Sequence, residues 1–500
     1  MTPRCNHNGP VNRSNQGDSS RSIIVGTDFL QLSADNATGG LSEWLAQRVR
    51  AAISDGSLPI GSRLPATRVL ASDLQVSRGV VTEAYQRLTE DGHVAGRGRS
   101  GTIVVAAPIG TAPLPATTRT AGSGPLTTEP GLDIFDSMRA VPARVDLTPG
   151  VPDLAAFPRT AWLRAERKVL NDLSASAFGY GDPAGTPSLR LAVANWLARN
   201  RGIRADPGDI IIVAGVTQAL GLIAQVLGRQ GLTEVAVEDP GSLGARQHLQ
   251  YWGMKTPPIA VDVGGLRVDQ LREQRSPAVL LTPAHQFPTG VVLDGERRRE
   301  LMQWASEGGL VIEDDYDAEH RYDRPPVPAM HSMLPEHVVY TGSVSKLLAP
   351  ALRLGWVLAP SRYQNALVAA KRLADLGNAT LAQLVLAQLM ESGELERQLR
   401  FLRRRHRRRR DAMIEAIEAQ LPSATIHGAA AGLHLMITFD ADFSDVALAT
   451  AGLERGVKTQ PLSWHSQRRQ PPGLVLGYGA RTPTEITEAI TTIGAALRVL

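Results

Sequence analysis

Five short apolar runs, IIIVAG, EVAVEDP, AVLLTPAHQ, GLVIEDDYD and HVVYTGS, recur between residues 210 and 343 with helix-length stretches separating them. That alternation predicts an α/β domain on a largely parallel sheet. In open sheets of this kind ligands bind beyond the carboxyl ends of the strands. Two of those ends carry most of the reactive side chains of the region: the strand at 309–312 runs into EDDYD, and the strand at 338–340 runs into TGSVSK.

At 500 residues the chain exceeds one ordinary hydrophobic core, so more than one domain is expected. Residues 1–40 read as a polar extension, in which only Phe29, Leu30 and Leu32 could dock on anything. Leu41, Trp44, Leu45, Val49 and Ile53 then recur at helical spacing and open a first domain over 41–105. A Pro/Thr/Ala/Gly stretch without periodicity marks a flexible interdomain linker within 106–145. Residues 146–500 form the large α/β domain. The one cysteine, Cys5, lies in the polar extension and can form neither an internal disulfide nor, alone, a metal site; no metal is expected. No apolar run reaches the roughly 18 residues of a membrane span, and the N-terminus lacks the apolar core of a secretory signal, which places the protein in the cytoplasm.

In LPATRVLASDLQVSRGVVTEAYQRL, at 64–88, a helix over 66–74 is parted by Gln75 and Val76 from a second helix capped by Ser77. Val81, Ala84, Tyr85 and Leu88 give the second helix an inward face, which leaves Ser77, Arg78, Gly79 and Thr82 to point outward at its first turn. The N-terminal end of a recognition helix is where side chains reach base edges. Arg78 leads there, because a guanidinium fork can take guanine O6 and N7 together. GRGRSGT follows as a hairpin tip whose Arg97 and Arg99 suit a wing against phosphates or in the minor groove. The net charge of +4 would not by itself argue for nucleic acid. Segment 397–410, RQLRFLRRRHRRRR, carries nine arginines. Leu395, Leu399, Leu402 and Met413 keep a helical rhythm through it, so the arginines are expected on the solvated face of a long helix.

An aldehyde cofactor needs a lysine for a Schiff base, a carboxylate for a pyridine nitrogen, donors for phosphate, and a partner for the phenolic oxygen. The large domain offers these in order along the chain. Residues 146–500 resemble the class I aminotransferases of fold type I, and 41–105 resemble the GntR-type winged helix through LP-x-x-R-x-LA, VSR and G-x-G-T-hydrophobic-V. The whole chain resembles the MocR subgroup of GntR-type regulators.

That resemblance implies pyridoxal 5′-phosphate on Lys346, Asp314 at the pyridinium nitrogen and Tyr316 at the phenolic oxygen. It implies phosphate contacts from Ser343 and Arg353, from the turn at Val216, Thr217 and Gln218, and from Tyr180 of the other subunit of a homodimer. In the first domain it implies contacts to double-stranded operator DNA from Arg68, Ser77, Arg78 and the wing arginines. Three departures from the pattern matter. Phe287 in HQFPTG stands where the enzymes carry an asparagine, Ser242 where the regulators often stack an aromatic on the ring, and Val475 where the enzymes place the arginine that clamps a substrate carboxylate. The expected function is a regulator whose aminotransferase-like domain senses the cofactor or an amine or amino-acid effector, with slow or no turnover. The alternatives are a working aminotransferase with a DNA-binding extension, and a DNA binder whose cofactor site is vestigial.

Overall fold

The computed structural model describes residues 40–98, 101–106, 126–127, 129–322 and 327–500. Cys5, Arg99 and much of the expected linker lie outside them. The chain divides into two compact units, Met1–Ala112 and Pro113–Leu500.

In the first unit the helix Leu41–Ser54 buries Leu45, Ala46, Val49, Ala52 and Ile53. The helices Thr67–Asp73 and Arg78–Glu90 follow, joined through Gln75 in the left-handed region (φ 53°), which turns the chain sharply between them. Ser77 caps the second by accepting the Val80 N–H at 3.4 Å, and Val81, Ala84, Tyr85 and Leu88 form its buried face. The Tyr85 hydroxyl donates to the Pro65 carbonyl at 2.9 Å and ties this helix to the segment that starts the first. Val94–Gly96 and Thr102–Val104 pair antiparallel into the wing.

The second unit is built on eight strands in the order Ile210–Val213, Gly355–Leu358, Val338–Ser343, Leu310–Asp315, Ala278–Leu281, Ala236–Asp239, Pro258–Asp262, Gly265–Leu266. The central neighbours are parallel; Gly355–Leu358 runs antiparallel to both its partners, as does Gly265–Leu266 to its one. Every residue of Ile210–Val213, Ala278–Leu281 and Val338–Ser343 is buried, as strands covered on both faces require. A second, antiparallel sheet of Ala424–His427, His434–Phe439, Gly473–Gly477 and Gln460–Pro461 carries the C-terminal part.

Two expectations change. The stretch expected as linker holds the helix Ile134–Ala140, whose Ile134 and Met138 join Leu126 in the core of the C-terminal part. Composition hid it, because two buried residues on a seven-residue helix leave little periodicity. The arginine run does lie on a long helix, Glu394–Gln420, but its arginines are not one solvated face. The inward stripe continues from Leu402 through His406 and Arg409 to Met413, all buried, so polar side chains occupy apolar positions. Arg405 Nε and Arg409 Nη1 both reach Asp153 Oδ2 at 2.9 Å, Arg403 donates to the Glu319 carbonyl at 2.7 Å, and Arg410 to that of Ala429 at 2.9 Å. Arg400, Arg404 and Arg408 remain exposed.

Candidate functional site

A cavity of about 680 Å³ opens at the carboxyl ends of the central strands. Asp314 and Tyr316 enter it from the end of Leu310–Asp315, Thr282 from the end of Ala278–Leu281, and Lys346 from the turn after Val338–Ser343. Asp314 Oδ1 is buried with no hydrogen-bond partner. Burial first, and then Asp315 and Asp317, push this carboxyl up to about 7, with Lys346 opposing. Lys346 donates to the Gly150 carbonyl, and burial holds its amine below the ordinary lysine value against the pull of Asp317 and Asp314. The Tyr316 hydroxyl is 3.0 Å from His285 Nδ1, which is also 3.0 Å from Asp317 Oδ2. Burial, reinforced by those carboxylates, raises the phenol well above its usual range.

The helix Val216–Arg229 starts after Gly215, whose φ of 86° is a conformation that side chains resist. A Cβ there would also stand 3.4 Å from Arg353 Nη1, so the guanidinium lies against the N-terminal turn of that helix. Val216 and Thr217 line the cavity, and Ser343 is buried at the end of its strand. The N-terminal turn of this fourteen-residue helix, with the Arg353 guanidinium beside it, is a place where an anion is favoured, although neither Ser343 nor Arg353 lines the cavity itself. The orphaned carboxylate, the lysine and this cradle together fit pyridoxal 5′-phosphate, with a ring N–H for Asp314 and a phosphate for the helix end.

Not every expected residue joins them. The Gln218 side chain is turned into another network: Oε1 accepts from Ala214 N at 2.8 Å and from Lys371 Nζ at 2.9 Å, and Nε2 donates to Asp375 at 2.7 Å. Only its backbone belongs to the helix start. Tyr180 is 96% exposed and does not line the cavity. Ser242 does line it, as the cap of the helix Leu243–Tyr251, accepting from Ala245 N at 3.3 Å. Val475 is fully buried with Met436 and Leu462, against Phe287.

The sequence reading missed His285, Asp317, His434, His465 and Gln460. His285 and Asp317 were within reach, lying in the quoted HQFPTG and EDDYD. A Cβ on Gly432 would come within 2.0 Å of His285 Cε1, so the chain needs glycine for that approach. His434, Gln460 and His465 come from the second sheet and its edge, and only the tertiary fold brings them in. Leu132, Phe135, Asp136 and Arg139, on and just before the helix Ile134–Ala140, were hidden with that helix.

In the first unit Arg68, Ser77, Arg78 and Arg97 are all exposed. Ser77 and Arg78 stand at the first turn of the second helix, and Arg97 stands at the wing tip, where its N–H donates to the Gly101 carbonyl at 2.8 Å. Arg63, which the sequence reading passed over, bridges to Ile103 and lies beside Gly101 at the tip end of the same hairpin. Among the described residues no helix is long and apolar enough to cross a membrane.

The family profile described as Aminotransferase class I and II matches residues 144–492, and that of the Bacterial regulatory proteins, gntR family, matches 41–104. An HTH-type transcriptional regulator of Bacillus subtilis, YhdI, is 31% identical over 89% of this chain and 93% of its own length. The probable rhizopine catabolism regulatory protein MocR of Rhizobium meliloti is 31% identical over 91% of this chain and 93% of its own. Among solved structures, the α-aminoadipate aminotransferase LysN of Thermus thermophilus, complexed with N-(5′-phosphopyridoxyl)-L-leucine, superposes with a TM-score of 0.65 at 27% identity, covering 71% of this chain and 92% of that one. Membership of the aminotransferase family makes pyridoxal 5′-phosphate the cofactor of the large domain. With a GntR winged helix ahead of that domain and relatives matching both halves, the chain belongs to the MocR subgroup of GntR-family transcriptional regulators, which bind DNA.

Proposed function

We propose that occupancy of the Lys346 cavity, by the cofactor alone or with an amine or amino-acid effector, changes how a homodimer of this chain engages operator DNA in the cytoplasm. Lys346 holds the cofactor covalently, Asp314 accepts from the pyridine nitrogen, and Tyr316 faces the phenolic oxygen. Ser343, Arg353 and the helix start at Val216, Thr217 and Gln218 hold the phosphate, with the partner subunit's Tyr180 completing the cradle. When bound there, the cofactor would supply an electrophilic carbon for a primary amine. Arg78 reads the major groove, Arg68 and Ser77 contact the DNA beside it, and Arg97 and Arg99 lie against phosphates or in the minor groove.

The observation that carries this reading is the buried, unpartnered Asp314 Oδ1 facing the same cavity as Lys346. A buried carboxylate oxygen without a partner is costly unless a ligand supplies one. The test is the visible spectrum of the purified protein with added pyridoxal phosphate. A band that borohydride removes, and that Lys346→Ala lacks, is expected; an unchanged spectrum in the variant would sink the assignment. Sedimentation of the loaded protein checks the dimer.

A further inference from the structure

The cavity has more room than a cofactor needs, and its charges are unevenly spread. The full charges among its described lining residues are Asp314, Asp317 and Lys346 inside, and Asp136 with Arg139 at the helix Ile134–Ala140. On the reading above, Lys346 and Asp314 are engaged by the cofactor. Arg139 is ion-paired with Asp136, and its side chain is 72% exposed. The charge left inside is that of Asp317, which His285 partners.

The wall formed by the second sheet is neutral. The Phe287 ring centroid lies 4.9 Å from that of His434 and 5.0 Å from that of His465, and Val475, Met436 and Leu462 pack behind Phe287. His434 Nε2 lies 3.1 Å from the Pro288 carbonyl, and His465 Nε2 lies 3.1 Å from Gln460 Oε1. Burial pushes both imidazoles down to about 3, so neither offers a positive charge near neutral pH. The arginines close in sequence to this wall are committed elsewhere. Arg468 donates to the Pro258 carbonyl at 2.8 Å, Arg469 pairs with Asp442 at 3.3 Å, and Arg481 donates to the Asp146 carbonyl at 3.2 Å. Arg246, whose charge bears on His465, donates to the Trp464 carbonyl at 3.1 Å, so among the described residues a carboxylate brought against this wall would be desolvated where the nearby arginines are already engaged. An apolar body would meet Phe287 and Leu433 inside and Phe135 and Leu132 nearer the mouth.

We infer that the effector is a primary amine with an apolar or aromatic body and no carboxylate beside its amino group, seated with the amine toward Lys346 and the body against Phe287, Leu433 and Phe135. This rests on the proposed cofactor reading and adds the ligand class.

Matched pairs that differ by the carboxylate alone provide the test: 2-phenylethylamine with L-phenylalanine, and 3-methylbutylamine with L-leucine. Each is titrated into the full-length protein loaded with pyridoxal phosphate, read by calorimetry and by the change in the visible band. At least one amine is expected to bind at least tenfold more tightly than its amino-acid partner. Equal or tighter binding of the amino acids, or no binding by any amine, overturns the inference. Absence of a visible band before any amine is added is a different result, since it defeats the cofactor reading itself. Val475→Arg, which places a guanidinium behind the neutral wall, is expected to narrow the gap within each pair. The wild-type comparison decides the matter if that variant does not fold.

Discussion

Arg409 Nη1 lies 2.9 Å from Asp153 Oδ2 with both side chains buried, and Arg405 Nε meets the same oxygen at the same distance. Asp153 follows Pro149 and Gly150, which line the cavity, and Gly150 supplies the carbonyl that receives Lys346. The arginine helix therefore pins one edge of the pocket. Removing one partner of a buried pair leaves an uncompensated charge and costs about 3–5 kcal/mol. Arg409→Ala is expected to destabilise the large domain by about that much in urea unfolding. Arg404→Ala and Arg408→Ala, on the exposed side, should stay within about 0.5 kcal/mol. Equal losses at all three positions would contradict the division of this helix into an inner and an outer face.

Asp314 provides a pH-dependent test. Its carboxyl titrates near 7 in the folded chain against an ordinary 3.8, so between those values the native state keeps a proton that the unfolded chain has released. Stability of the cofactor-free protein therefore loses a contribution as pH rises through that window. Asp314→Asn abolishes the titration. Relative to wild type, the cofactor-free variant should gain a few kcal/mol between pH 5 and pH 8, measured by urea unfolding at each pH. Cofactor affinity should move the opposite way, because an amide cannot hold a protonated pyridine. A variant whose stability tracks the wild type at both pH values would remove Asp314 from this role.

In the DNA-reading domain two kinds of contact separate. Arg78→Ala should cost about 1–3 kcal/mol in a mobility shift with the cognate operator and relax preference at particular base pairs. Arg97→Ala should weaken binding evenly across sequences and lower the salt slope by about 0.9. Identical salt slopes for wild type and Arg97→Ala would take the wing off the phosphates.

Much of this was legible before any coordinates. The strands that position Asp314, Ser343 and Lys346 are apolar runs bounded by their own reactive residues, and local pattern suffices for such elements. The Ser77 cap and the Val81, Ala84, Tyr85, Leu88 face were readable for the same reason. What escaped was non-local. Gln218 lies at the right helix start, yet Lys371 and Asp375, more than 150 residues away in the chain, capture its side chain. His434 and His465 reach the cavity only because a second sheet folds against the first. Arg409 looked solvated because arginine usually is, and its burial depends on Asp153, 256 residues earlier.

The helix Ile134–Ala140 is the first described helix of the large unit. Residues ahead of it are held by the Trp464 indole N–H, which donates to the Thr127 carbonyl at 2.7 Å, and by Gln247, which donates to the carbonyls of Pro130 and Gly131 at 3.1 and 3.0 Å. Trp464 is the immediate neighbour of His465, and Gln247 itself lines the cavity. The start of the large unit's described chain is thus fastened by side chains that also wall the cavity, Gln247 directly and Trp464 through its neighbour His465.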